Sequence, residues 1–195
     1  MRANLQPQHT PKIRQLLDEA QEIRHIDYQG VLRRAQEAYD LAVECGDIPH
    51  QSQSLALLCW GYVKTNRYEQ ALRYGLESYT LATEHKLLYE EGFVAGILSI
   101  CYTLLHDYPQ SLSYLLRQAD IGKQLHRHNF VSDALNDIGL LHIDVGHYAT
   151  GINYLKDSIN YMPRVDGKDT LEHGVTYFNL SRALYQTGDY VPATD

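Results

Sequence analysis

The chain has 195 residues, of which 44% are hydrophobic and 21% charged, with a formal net charge of −7. That length suits one domain or one short repeat array, and the apolar content is enough to build a core, which excludes wholesale disorder. The acidic balance argues against a nucleic-acid surface, which is normally basic, and no run of like charges reads as a tail.

The N-terminus, Met1 to Lys12, is polar and lacks the apolar segment of a secretory signal. No stretch approaches the roughly 18 apolar residues of a membrane span. The three cysteines, Cys45, Cys59 and Cys101, are odd in number and widely spaced, which fits reduced thiols in a cytosolic protein. These features predict a cytoplasmic location without membrane contact.

Helical elements are predicted in pairs. The first pair spans about 11–25 and 28–45, the second 51–65 and 68–85, the third 88–105 and 108–127, and the fourth 130–145 and 148–162. Pro163 to Lys168 reads as a loop, and a last helix spans about 169–187. The domain reading is a flexible 1–10 followed by repeats at about 11–50, 51–90, 91–130, 131–168 and 169–195. The fifth stops six residues into its second helix, which predicts that the sequence is the repeat portion of something longer.

The pairs carry a repeat. Tyr28, Tyr68, Tyr108, Tyr148 and Tyr190 are spaced by 40, 40, 40 and 42 residues. Three residues after each comes a small or β-branched residue: Val31, Ala71, Ser111, Gly151 and Ala193. Upstream, Leu58, Leu98, Ile138 and Leu180 each precede a small residue, namely Cys59, Ser99, Gly139 and Ser181. Three positions later stand Tyr62, Tyr102, His142 and Leu184. The small residue lets the second helix of each pair approach closely, and the tyrosine opens that second helix. One hairpin cannot bury its own apolar face, but stacked hairpins share one.

The stretch Leu58-Cys59-Trp60-Gly61-Tyr62 through Asn66-Arg67-Tyr68-Glu69-Gln70-Ala71-Leu72 resembles the tetratricopeptide repeat family. The resemblance covers roughly residues 12–195 and implies an all-α fold, a right-handed α-α superhelix of about four and a half repeats. The 40-residue period departs from the family's usual 34. The surplus is placed around Cys45–His50, His85–Tyr89 and Leu125–Phe130, as longer second helices and longer loops. Long repeats of this kind resemble those in bacterial peptide-sensing receptors and in the sensor regions of signalling proteins.

No catalytic constellation is present: the chain has no GxSxG, HExxH or Walker sequence. Gly122-Lys123 lacks the rest of a phosphate loop. Asn179-Leu180-Ser181 matches a glycosylation acceptor but falls within a predicted helix. His126 and His128, with His142 and His147 nearby, lack the convergent third ligand and cysteine pair of a zinc site. His142 falls in the aromatic packing column, and Cys59 reads as a small buried hydrophobe. No catalytic residue, metal or cofactor is predicted.

The family resemblance implies that the first helices of the pairs line an inner groove. The groove residues it selects are Trp60, Lys64, Ile100, Leu104, Asn136, Asp144, Phe178, Asn179 and Arg182. Trp60, Ile100, Leu104 and Phe178 would supply apolar pockets. Asn136 and Asn179 would hydrogen-bond a peptide backbone, and Arg182 would hold a carboxylate. The Lys/Asn/Arg clamp of chaperone-tail binders is not reproduced. The expected partner is a peptide or protein segment, with no nucleic acid. The chain would be the N-terminal sensory or scaffolding part of a bacterial signalling protein whose output is a cyclase or a helix-turn-helix regulator. The alternative is a homo-oligomerisation domain that pairs with its own copy.

Overall fold

The computed structural model describes residues 10–162 and 171–188. Among them are nine helices and no strand: α1 (Thr10–Ile23), α2 (Tyr28–Cys45), α3 (Ile48–Lys64), α4 (Tyr68–Glu84), α5 (Leu88–Leu104), α6 (Tyr108–Gln124), α7 (His128–Asp144), α8 (Tyr148–Tyr161) and α9 (Leu171–Thr187). The all-α helical-repeat class expected from the sequence is the observed one, and the helix boundaries fall within about three residues of those read from it. The expected N-terminal segment, the loop at Pro163 to Lys168, and Tyr190 and Ala193 of the fifth pair lie outside the described residues.

The backbone has a finer period than the side chains. From α2 to α8 the helices start at 28, 48, 68, 88, 108, 128 and 148, one every 20 residues. Positive φ occurs at Gly46, Asn66, Lys86, His106, His126 and Gly146, at the same interval. At each turn the N–H of the left-handed residue bonds the carbonyl three residues back. The following N–H bonds the carbonyl five back, at 2.8–2.9 Å. This bond pair satisfies the last carbonyls of a helix within two or three residues. Turns between hairpins are therefore as tight as turns within them. The expectation of longer loops and longer second helices is corrected: α3 to α7 each have 17 residues, so the surplus length is shared by both helices of a pair.

The start of several helices is fixed by side chains as well. Asp27 caps α2 by accepting from the Gly30 N–H at 2.8 Å, and Asp47 opens α3 with Pro49 in its first turn.

The chain divides into two compact units at Asp107–Tyr108. In the first, α3 packs on α2, α4, α5 and α1. A core cluster there runs from Ile13, Leu16 and Leu17 through Val31 and Ala35 to Leu55, Leu57 and Leu58. In the second, α7 packs on α6, α8 and α9. Leu115, Ala134 and Ile138 form one apolar cluster there, and Ile143, Leu155 and Ala183 another.

The repeated columns occupy equivalent places. Leu58, Leu98 and Ile138 are buried, as are the small residues Cys59 and Ser99 that follow the first two. Each such leucine contributes about 1.5–3 kcal/mol by leaving water. The small columns sit at the closest helix approach: a Cβ on Gly139 would come within 3.0 Å of the Gly151 carbonyl oxygen. Tyr62 stacks on Tyr74 at 5.2 Å in the first unit, and His142 stacks on Tyr154 at 5.4 Å in the second. Residues 62 and 142, like 74 and 154, stand two repeats apart. Ser78 donates to the Ser52 carbonyl and Ser158 to the Ser132 carbonyl, again two repeats apart.

Candidate functional site

In the first unit, Trp60 and Lys64 lie one turn apart on α3. Trp60 is half-buried against the core, with its indole N–H directed at the Arg24 carbonyl at 3.5 Å, a long contact. The Lys64 ammonium stands 4.2 Å from the indole centroid, and His25 meets the ring edge-on at 6.1 Å. Burial, with the charges of Arg24 and Lys64 added, lowers the pKa of His25 and favours its neutral form. The structure thus places these residues as a clasp between the α1–α2 turn and α3. Ile100 is half-buried on α5, and Leu104, one turn on, is exposed.

In the second unit, Asn136 and Asn179 are brought together. Asn136 Oδ1 accepts from Asn179 Nδ2 at 3.1 Å and from Thr176 Oγ1 at 3.4 Å. Its Nδ2 donates to Asp137 Oδ1 at 2.9 Å. The two asparagines read as separate peptide donors are therefore bonded to each other, tying α7 to α9. Burial raises the Asp137 carboxyl to about 6, partly offset by the Asn136 amide. Asn179 is 9% exposed. Its use in α7–α9 packing leaves the Asn-Leu-Ser match a structural one.

This polar cluster departs from the repeat. Shifted by 40 residues, and by 42 in the last copy, Asp137 and Asn179 fall in the column of Leu57 and Ile97, both buried apolar residues. Placing a carboxylate and an amide there costs stability unless each finds a hydrogen-bond partner, and both of them bond Asn136. Sequence reasoning placed Asp137 only among the inward positions of the fourth repeat and passed over Thr176. The signal was present as a polar substitution in an apolar column.

Phe178 and Arg182 lie on α9, and Asp144 is exposed at the end of α7, two turns beyond Asn136. On α9 the faces separate cleanly. Leu180, Ala183 and Leu184 pack back onto Ile143, Ile152 and Leu155. Val175, Phe178 and Tyr185 are 56%, 67% and 68% exposed, with Arg182 among them. At 100° per residue these four span about 80° of the helix circumference.

The remaining chemistry-bearing residues have packing roles. Burial raises the thiol of Cys59, and that of Cys101 to about 11, so both stay protonated near neutrality. A Cβ on Gly122 would press on Phe130 Cβ at 2.9 Å and on the Arg127 carbonyl at 3.1 Å, so Gly122 serves the α6–α7 contact. Among the described residues no three His, Cys, Asp or Glu side chains gather as a metal site would require. No described helix is long and apolar enough to cross a membrane.

No family model matches the chain, and no curated protein matches it. Among solved structures the chain is similar to the crystal structure of BtubC (BKLC) from P. vanneervenii, with a TM-score of 0.66 at 14% identity. The match covers 92% of this chain and 83% of that one. At that identity the likeness is one of fold: a helical repeat shared along nearly the whole length.

Proposed function

We propose that the chain is a protein- or peptide-binding module of tetratricopeptide type, without catalysis of its own. The observation that carries this reading is the exposed stripe of α9. Three large apolar side chains, Val175, Phe178 and Tyr185, surround one guanidinium on a helix whose opposite face is in the core. Contiguous exposed apolar surface of this kind marks interaction sites, and aromatic residues with arginine are the side chains that dominate binding energy. A partner segment with apolar anchors and a carboxylate for Arg182 fits it. The resemblance of the long repeat to those of bacterial regulators supports a cytoplasmic, sensory or scaffolding role within a signalling protein.

An immobilised dodecapeptide library probed with the full chain tests the reading. The expected result is capture of peptides that combine aromatic or aliphatic residues with an acidic one, weakened at least tenfold by Phe178→Ala, about 1.4 kcal/mol or more. Capture unchanged by Phe178→Ala and Arg182→Ala together would remove the α9 stripe as the site. The second reading, pairing with its own copy, is favoured by the same exposed aromatics. Light scattering across a concentration series separates the two: a dimer abolished by Phe178→Ala supports self-association, and a monomer throughout supports the peptide site.

A further inference from the structure

The chain is acidic overall, yet three arginines of the first unit gather around two stacked tyrosines. The rings of Tyr62 and Tyr74 are parallel within 1°. The Arg67 guanidinium lies 5.2 Å from the Tyr62 centroid and that of Arg73 lies 4.5 Å from Tyr74. Among the described residues neither arginine forms an ion pair with a carboxylate. Glu77, one turn from Arg73, accepts instead from the Tyr39 hydroxyl at 3.2 Å.

The third arginine, Arg33, meets Asp27 at 3.6 Å with both side chains well exposed. A surface pair of that kind holds its partner weakly, and Asp27 already caps α2 through its other oxygen. Arg33 and Arg67 flank a depression of about 400 Å³ that also takes in Gln29, Gln36, Leu58 and Tyr62. Gln36 donates one N–H to Asp40 and keeps its carbonyl oxygen. Burial sets the raised pKa of Tyr62, and the charges of Arg67 and Arg73 oppose it, so both cations act at this hydroxyl.

The depression is separate from the Trp60–Lys64 clasp. Leu58 and Tyr62 lie roughly 200° around α3 from Trp60 and Lys64. We propose that this side of the first unit is a binding site for an acidic peptide segment, held by Arg33 and Arg67 over the face of Tyr62. Guanidinium groups grip carboxylates bidentately. The side-chain amides of Gln29 and Gln36 match a peptide backbone, which both donates and accepts. The half-buried Tyr62 ring gives the peptide's aliphatic stems an apolar floor. A lone inorganic anion would use the arginines and leave the amides and the floor idle.

The test uses the full chain and fluorescence anisotropy with a labelled dodecapeptide of alternating glutamate and alanine. The matched probe has glutamine for glutamate. The glutamate peptide is expected to bind at least about tenfold more tightly than the glutamine peptide, and to weaken as salt rises. Arg33→Gln with Arg67→Gln is expected to cost a further tenfold or more, with an unchanged far-UV spectrum, since both side chains lie at the surface. Arg67→Glu, a single reversal, should do the same. Phe178→Ala on α9 should leave this binding unaltered, which separates the site from the proposed α9 one. Equal binding of the two peptides, or full binding by the double variant, would overturn the proposal. So would displacement by inorganic phosphate at the concentration at which free glutamate peptide displaces the probe, because the site would then be a simple anion site.

Discussion

A Cβ placed on Gly151 would lie 2.6 Å from the carbonyl oxygen of Gly139 and equally close to Ile143 Cγ1. Helices α7 and α8 meet there backbone to backbone, and the contacting atoms are a carbonyl and a buried branched side chain, neither of which can swing aside. Gly151→Ala should therefore destabilise by about 1–3 kcal/mol, although alanine is the better helix former by about 1 kcal/mol. Gly174→Ala, in α9 with nothing within 4 Å of the new methyl, should stabilise by about 0.5–1 kcal/mol. Urea unfolding of the two variants checks the pair. Gly151→Ala as stable as the parent would mean that α7 and α8 are not in backbone contact.

The side-chain columns that create this contact were legible in the sequence because each recurs with its own residue type: Leu58, Leu98 and Ile138, then Cys59, Ser99 and Gly139. The 20-residue backbone rhythm was not. Its turn positions are filled by glycine, asparagine, lysine and histidine, so no single letter marks them. A left-handed residue costs only about 1–2 kcal/mol, which tertiary packing readily absorbs. The site was legible to a lesser degree. The sequence picked out Asn136 and Asn179, but only the fold shows that, 43 residues apart in the chain, they bond each other. A polar group's partner is set by tertiary packing, not by spacing.

The turn residues themselves can be tested. Lys86 adopts φ 57° where Gly46 and Gly146 adopt φ 66° and 83° at the equivalent points. Lys86→Gly relieves the steric cost of a left-handed side chain and should raise stability by about 0.5–1 kcal/mol after glycine's extra chain entropy is counted. Gly146→Ala should lower stability by about 1 kcal/mol or slightly more, entirely through the backbone, since its Cβ would meet nothing within 4 Å. Thermal unfolding followed by circular dichroism reads both. Shifts of the same sign would show that the turn conformation is not what limits these positions.

Trp60 is the chain's one tryptophan, so its emission reports on the clasp directly. With the Lys64 ammonium 4.2 Å from the ring, Lys64→Ala removes a cation–aromatic contact worth about 0.5–1 kcal/mol at an exposed site. The expected result is a changed emission intensity together with a loss of stability of that order. Lys64→Arg should retain both, because a guanidinium stacks on an indole at least as well. An emission spectrum identical in Lys64→Ala and parent would place the ammonium away from the ring.

Asp137 predicts a pH dependence with a defined sign. Burial lifts its carboxyl from an ordinary 3.8 to about 6 in the folded chain, so between about pH 4 and 6 the folded state binds the proton and the unfolded state does not. Stability from this group is present in full below the unfolded value and is lost as pH rises through the folded one. Two units correspond to about 3 kcal/mol, and the partial exposure of Asp137 screens this to about 1–2 kcal/mol. Asp137→Asn keeps an oxygen to accept from the Asn136 amide but has no charge to desolvate. The variant should therefore exceed the parent by about 1–2 kcal/mol at pH 8, and the gap should close by about pH 4. Urea midpoints measured for both proteins from pH 4 to 8 decide the matter. A difference that stays constant across that range would show that the Asp137 carboxylate is solvated in the folded chain and does not titrate with the Asn136–Asn179 cluster.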